Sequence, residues 1–503
     1  MIQVEADVSE GLPGFSLVGF LSSEVKEARE RVQIGMKNAG FSFPPKKITI
    51  NLSPADIRKG GTGYDLAIAV SVLTAFGYFP QEFIKNIVFI GELSLEGRVQ
   101  AVHGVLPRVY TAYENGMKYC VVPKENAQEA GIVKGIGVIG ISSLSELVLM
   151  LQKGELCAMP VSSDCGRKEE VLDFGDVNGQ KTVRRAIEVS VAGMHNLLMI
   201  GPPGSGKTML AKRIPGIMPE LSFEEQMEIS KIYSVAGMLS AGQPFVKRRP
   251  FREPHHTITQ KALIGGGHLP KPGEVSLASG GVLFLDELAE FQRQTIEVLR
   301  QPLEEGYVTV SRMDGNYRFP AKCQLVAAMN PCRCGFYPDR KKCSCTGVQI
   351  KGYLNKISQP MLDRMDICAE TVPLSYQDFH NEGKRQKGSS VNEPSAVIRQ
   401  RVVKAKEIQD IRYQKEEIFH NAQLTPSLLE KYCVLEKEAQ EYLREAFCKL
   451  EFSARAYHKI LKVSRTVADL AGKDKIERVH VAEAVCYRML DKKYWGNKCE
   501  QTF

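Results

Sequence analysis

The chain has 503 residues, of which 43% are apolar and 25% charged, and a formal net charge of +8. This length suggests about three domains, the composition is that of soluble globular proteins, and the mild basic bias does not by itself establish a nucleic-acid partner. No apolar run approaches the ~18 residues that cross a bilayer, Met1-Ile2-Gln3-Val4-Glu5 lacks the basic-then-apolar form of a secretory leader, and 13 cysteines without such a leader read as thiols or metal ligands in a cytoplasmic protein.

Residues 1–153 read as a first domain of α+β type. Lys47–Leu52, Ile87–Ile90 and Tyr119–Pro123 have the apolar character of strands, and Glu24–Asn38 and Asp65–Ala75 that of helices. Gly91–Val99 reads as a hairpin turning at Glu96-Gly97. The domain resembles the C-terminal proteolytic domain of Lon proteases in two stretches, Gly91-Glu92-Leu93-Ser94-Leu95-Glu96-Gly97-Arg98-Val99 and Val121-Val122-Pro123-Lys124-Glu125-Asn126. The resemblance implies a serine nucleophile activated by a lysine. By the spacing of the motif the serine falls near Gly63, in Lys59-Gly60-Gly61-Thr62-Gly63-Tyr64, and the lysine near Arg108. Neither residue is present, and a guanidinium is no general base. Thr62 is a substitute nucleophile without an evident partner. The domain is therefore expected to be an inactive scaffold or binding module. Members of the family that the whole chain resembles, named below, begin with a further short stretch, so a missing edge strand is also expected here.

Residues 154–172, with Gly154, Pro160, Ser162, Ser163 and Gly166, read as a linker. Asp173–Gln180 then leads into a helix from Lys181 to about Ala192. The stretch Gly201-Pro202-Pro203-Gly204-Ser205-Gly206-Lys207-Thr208 fits G-x-x-x-x-G-K-[ST]. Its glycines let successive N–H groups turn inward onto phosphates. Lys207 would reach the β- and γ-phosphates, and the Thr208 hydroxyl would hold Mg²⁺. The apolar run Leu197–Ile200 reads as a buried parallel strand before the loop, and Met209–Arg213 as the helix opening after it. Val282–Leu285 is a second apolar strand, ending in Asp286 and Glu287. Asp286 would hold Mg²⁺ and Glu287 would orient or deprotonate the attacking water. ATP and Mg²⁺ are the implied ligands. Between these strands lies an apparent insertion, containing Phe251-Arg252-Glu253-Pro254-His255-His256-Thr257 and Gly265-Gly266-Gly267-His268. Adjacent histidines point to different sides of a regular element and make a poor metal pair. A loop role on a substrate polymer and a structural role both remain open for them.

The order of these elements resembles AAA+ ATPases. That resemblance implies an adenine-packing role for Asp173–Gln180 and a sensor role for Asn330, which ends the apolar strand Gln324–Met329. Arg364, in Leu362-Asp363-Arg364-Met365-Asp366, corresponds to the finger that reaches a neighbour's γ-phosphate, the alternative being a surface salt bridge. Arg455, in the amphipathic stretch Ser453–Val463, corresponds to the second sensor arginine of a helical lid; Arg465 competes for that role, and an exposed helix arginine is the plain alternative. Cys332-Arg333-Cys334 and Cys343-Ser344-Cys345 stand eight residues apart. Four thiolates in two pairs suit tetrahedral zinc, although C-x-C is tighter than the usual spacing and free thiols are the alternative.

Residues 380–395 read as a flexible loop and 396–503 as a helical lid, so the ATPase core spans 173–379. Taken whole, the chain resembles the YifB/ComM family of magnesium-chelatase-like AAA+ proteins. The specific signs are the Lon-like front, Gly201–Thr208, Phe251–Thr257, Asn330–Cys334, Leu362–Asp366 and Ser453–Leu470. The implied fold is α/β, with an AAA+ P-loop core and C-terminal lid preceded by a Lon-like α+β domain. The implied function is a homo-hexameric, ATP-hydrolysing DNA branch-migration helicase, acting on single-stranded or branched DNA, with no membrane partner. Arg252, His255 and His256 are then candidates to line its channel. A chelatase-type motor subunit and an ATP-dependent peptidase are the alternatives.

Overall fold

A computed structural model describes residues 1–154, 156, 158, 172–239, 243–267, 270–312, 315–373 and 392–496. The expected linker, most of the expected loop at 380–395, and His268 lie outside the described residues. The chain forms two compact units. The first is Met1–Lys168 with Gln226–Val246 and Arg312–Gly315, and so takes two segments that lie within the expected ATPase core.

In the first unit β1 (Gln3–Ser9), β2 (Gly14–Val18) and β3 (Lys47–Ser53) form a sheet in the order β1-β3-β2. A second sheet is parallel, with β4 (Ile87–Phe89), β7 (Tyr119–Pro123) and β8 (Gly137–Ile141) in the order β4-β7-β8. Between its strands in sequence lies the hairpin of β5 (Glu92–Leu93) and β6 (Val99–Gln100). The hairpin turns at Gly97, where φ is +78°. Val25, Ala28, Val32 and Met36 bury one stripe of the helix Ser23–Asn38, at the spacing an amphipathic helix requires. They share a core with Ile48, Ile50 and Leu52, which alternate inward along β3. β1 was not read from the sequence although Val4, Ala6 and Val8 alternate with polar residues along it; the three are half-buried.

The second unit is built on five parallel strands. Its strands in chain order are β9 (Leu197–Ile200), β10 (Phe251–Arg252), β11 (Gly265–Gly266), β12 (Lys271–Pro272), β13 (Val282–Leu285), β14 (Tyr307–Arg312), β15 (Gly315–Pro320), β16 (Gln324–Met329) and β17 (Ile367–Glu370). The central sheet runs β10-β13-β16-β9-β17, and the pairs β11/β12 and β14/β15 stand apart from it. β9, β13 and β16 are buried at every position, which is why they read as unbroken apolar runs. Alternate residues feed two cores: Leu197, Met199, Phe284 and Val326 face one, Leu198, Ile200, Leu285 and Ala327 the other.

The helix Lys181–Gly193 covers the first face, together with the C-terminal helices Ser395–Arg412 and Ala454–Leu470. Val402, Ala405, Ile460 and Val467 belong to the same hydrophobic cluster as Leu197 and Phe284. The C-terminal helices therefore complete the sheet's core instead of closing around one of their own.

Candidate functional site

Ligands of open parallel sheets bind beyond the carboxyl ends of the strands, at the point where strand order reverses. Here that point lies at β9, with β16 on one side and β17 on the other. From Ile200 the chain turns through Gly201–Gly206 into the helix Lys207–Ala211. Gly206 sits at φ +85°, a conformation that suits glycine. A Cβ on Gly201 would fall 1.9 Å from Thr371 Oγ1, so the loop is pressed against the end of β17. Ser205 Oγ lies 2.7 Å from Thr371 Oγ1 and donates to Pro202 O at 2.8 Å. Nothing in the sequence pattern marked Thr371.

Lys207 Nζ donates to Gly201 O at 2.7 Å, Pro202 O at 2.9 Å and Asn330 Oδ1 at 3.2 Å. Burial pulls its pKa down to about 8, against the opposing pull of Asp286 and Glu287. Thr208 Oγ1 donates to Asp286 Oδ2 at 2.5 Å, and the Glu287 N–H donates to Asp286 Oδ1 at 2.8 Å. The structure thus gathers Gly201, Pro202, Ser205, Lys207, Thr208, Asp286, Glu287 and Asn330 at one edge of the sheet. Glu287 itself has φ +52°, a left-handed conformation costing about 1–3 kcal/mol in a residue with a Cβ. Its carboxylate is more than half exposed and lies 3.5 Å from His256 Nδ1. Asp176, Val177, Asn178 and Gln180 line a cavity with Ser205 and Met209 beside the loop. Gln180 Nε2 also donates to Ser205 O at 3.2 Å.

The insertion differs from expectation. The His255 and His256 rings do not diverge: their centroids are 4.1 Å apart, with planes 34° from parallel. Arg252 forks onto Glu274, with contacts of 2.6 and 2.8 Å, so its guanidinium already serves an ion pair within the chain.

Arg364 and Arg455 lie elsewhere. The Arg364 carbonyl accepts from Asn196 Nδ2 at 2.9 Å, and the Asp366 N–H donates to Asn196 O at 2.9 Å. Asn196 directly precedes β9 and Arg364 precedes β17. Both therefore lie at the amino edge of the sheet, separated from the phosphate loop by roughly 10–13 Å of strand. The Met365 carbonyl receives Lys459 Nζ and Arg488 Nη1, each at 2.7 Å, which clamps this backbone from a second side. The Arg364 head pairs with Glu304. Arg455 Nη1 bonds Asp363 Oδ2 at 2.9 Å, which places it beside Arg364 and not at the phosphate loop. Arg465, the other candidate, is 1% exposed and bonded to Asp469 Oδ1 at 3.1 Å.

The sulfurs of Cys332, Cys334, Cys343 and Cys345 all lie within 4.8 Å of one another. Three of the separations are 3.3, 3.5 and 3.8 Å. A tetrahedral site with Zn–S of 2.3 Å has sulfur–sulfur edges of about 3.8 Å, so the donor set matches zinc in type and in size.

In the first unit the two positions expected to carry a nucleophile and its base do face each other. A Cβ on Gly63 would lie 2.1 Å from Arg108 Nη1, so the guanidinium occupies the place of the expected serine side chain. Burial lowers the Arg108 pKa from its ordinary value, with Tyr64 and Glu129 opposing the shift.

Residues 173–379 match the family described as "Magnesium chelatase, subunit ChlI", residues 4–126 that described as "Subunit ChlI of Mg-chelatase", and residues 392–488 the C-terminal part of the same subunit. The chain is 41% identical over 497 residues to the competence protein ComM of Haemophilus influenzae, covering 97% of this chain and 95% of that one. It is 41% identical over 491 residues to Escherichia coli YifB, covering 98% and 94%. A Lon protease of Mesomycoplasma hyopneumoniae is 30% identical over 131 residues, 25% of this chain and 15% of that protein. Among the described residues no helix is long and apolar enough to cross a membrane. The AAA+ proteins to which these matches point are ATPase-type, imply ATP and Mg²⁺, and commonly oligomerise. With that likeness running along nearly its whole length, the chain belongs to the YifB/ComM family of magnesium-chelatase-like AAA+ proteins.

Proposed function

We propose that this protein is an ATP-hydrolysing motor that assembles as a homo-hexameric ring and remodels branched or single-stranded DNA in the cytoplasm. The observation that carries the ring is the division of the site: Lys207, Thr208, Asp286, Glu287 and Asn330 stand at the carboxyl edge of the sheet, whereas Arg364 and Arg455 stand by Asn196 and Asp363 at the amino edge. An arginine mounted there serves a γ-phosphate only in a neighbouring subunit. The DNA partner rests on family resemblance, with the net charge of +8 compatible with it.

Lys207 exchanges its carbonyl partners Gly201 and Pro202 for the β- and γ-phosphates, a gain of charge-assisted bonds. Thr208 and Asp286 would hold Mg²⁺, which would supply charge neutralisation at the phosphates. Glu287 takes the proton of the attacking water and Asn330 orients that water. Asp176–Gln180 and Met209 receive the adenine. Arg364 of one subunit, with Arg455 beside it, stabilises charge on the phosphoryl group held by the next. The C-terminal helices act as the lid, the four cysteines hold one structural zinc per chain, and residues 1–153 are a Lon-like module without peptidase chemistry.

The family description favours one competing reading, a chelatase motor subunit. ATPase rates measured with branched DNA, single strands or a porphyrin separate the two. Stimulation by DNA is expected, and stimulation by porphyrin alone would contradict the DNA reading. Casein cleavage that survives Lys207→Ala and vanishes on Thr62→Ala would revive the peptidase reading.

A further inference from the structure

The cysteine knuckle begins two residues after Asn330, and Gly335 within it lies on the phosphate loop. Gly335 has φ +87°, and a Cβ there would meet Pro203 Cδ at 2.5 Å and Cγ at 3.2 Å. Pro202 and Pro203 carry no N–H, so neither residue donates a backbone hydrogen bond on this side of the loop, although Pro202 O accepts from Ser205 Oγ and Lys207 Nζ. The opposite flank is held by Thr371, through Ser205 Oγ at 2.7 Å. Packing from Gly335 supports the Pro203 ring from this side. The other end of the knuckle also returns to the site. Cys345 leads into Thr346, which caps the helix Gly347–Leu354. Tyr353 on that helix is buried, which pushes its phenol pKa up, and the Asn330 backbone opposes that shift.

We propose that the metal bound by Cys332, Cys334, Cys343 and Cys345 is a buttress of the phosphate loop, and that its occupancy sets nucleotide affinity through the contact of Gly335 with Pro203. This rests on the reading of the four cysteines as a zinc site. Apart from the metal, the turn is held by a few bonds, Gly335 N–H to Cys332 O at 3.0 Å and Cys343 N–H to Asp339 O at 2.8 Å among them. In small metal knuckles the metal–thiolate bonds supply most of the order. Losing them frees Gly335 to retreat and Pro203 to follow, so the inward-turned amides of the loop lose their fixed aim. Gly335 is a positioning residue, since it acts through Pro203.

The test uses full-length protein and ADP, which has no γ-phosphate and so does not draw on Glu287 or Arg364. Zinc is counted by elemental analysis, and ADP affinity is read by calorimetry before chelation under reducing conditions, after it, and after zinc is restored. Removal should weaken ADP binding by about tenfold, roughly the loss of one charge-assisted hydrogen bond, and one equivalent of zinc should restore it. Gly335→Ala should keep its zinc and show a similar loss, while Lys341→Ala, on the exposed side of the knuckle, should change neither quantity. Protein that carries no zinc as purified sinks the metal reading and the buttress with it. Zinc that can be removed from folded protein with no change in ADP affinity sinks the buttress alone. If the stripped protein unfolds, Gly335→Ala decides: unchanged ADP affinity with zinc in place overturns the proposal.

Discussion

The two edges of the central sheet are built on opposite plans. At the carboxyl edge the side chains are bonded to one another: Lys207 to the loop carbonyls and Asn330, and Thr208 to Asp286. At the amino edge the backbone is clamped and the two arginines sit in ion pairs of different exposure. Asn196, Lys459 and Arg488 hold the chain around Arg364, whose side chain is 15% exposed and paired with Glu304, whereas Arg455, paired with Asp363, is 71% exposed. One edge is a closed set of groups awaiting phosphates; the other presents cations on a rigid mount. Under the proposed mechanism neither edge is a complete hydrolytic site, and the reaction would draw one edge of each kind from two subunits.

The largest effect comes from emptying the amino edge. Arg364→Ala should retain ATP binding and lower hydrolysis by roughly 10³–10⁵, the usual worth of an arginine finger. Binding lost in parallel with hydrolysis would place Arg364 in its own subunit's site and break the comparison. At the carboxyl edge, Glu287→Gln should still bind ATP and lower the rate by about 10²–10⁴, because the amide keeps the shape and loses the base. Wild-type turnover in that variant would remove Glu287 from the mechanism.

Lys207 sharpens the comparison through pH. Its ammonium is pulled down to about 8 by burial, and phosphates bind only the charged form. Above that value the complex holds more protons than the free protein, so affinity must fall as pH rises, by about tenfold per pH unit until the complex itself titrates. Calorimetry in buffers of different ionisation enthalpy should show proton uptake on ADP binding at about pH 9 and almost none at about pH 7. The smallest effect belongs to His256, whose contact with Glu287 is partly exposed and worth about 0–1 kcal/mol. His256→Ala should change turnover by less than about tenfold and leave ADP affinity alone; a loss as large as that of Glu287→Gln would make the histidine part of the chemistry.

The carboxyl edge was legible in the sequence because its strands are buried on both faces and read as apolar runs, each stopping at a polar residue: Lys207 after the loop, Asp286, Asn330. The amino edge was legible only as a candidate arginine. The sequence left Arg455 and Arg465 as alternatives; the structure shows Arg465 buried and bonded to Asp469 and Arg455 exposed beside Asp363. Pairings between distant segments were equally hidden. Thr371 meets Ser205, and His256 meets Glu287, without any spacing that a motif could record. The C-terminal helices looked like a separate domain because their amphipathic stripes are complete; only the shared cluster with Leu197 and Phe284 shows what those stripes cover. In the first unit the positions Gly63 and Arg108 came from the resemblance to the Lon motif and its spacing, and the structure brings them face to face.

The shared site is tested most directly by mixing two inactive variants. An Arg364→Ala subunit keeps Glu287 and its whole carboxyl edge; a Glu287→Gln subunit keeps Arg364 and its whole amino edge. Co-assembled, an Arg364→Ala site that receives the finger of a Glu287→Gln neighbour is complete. ATP hydrolysis by the mixture, with co-assembly confirmed by size, should rise above that of either variant alone. A mixture as inactive as its components would contradict a site built from two edges of two subunits.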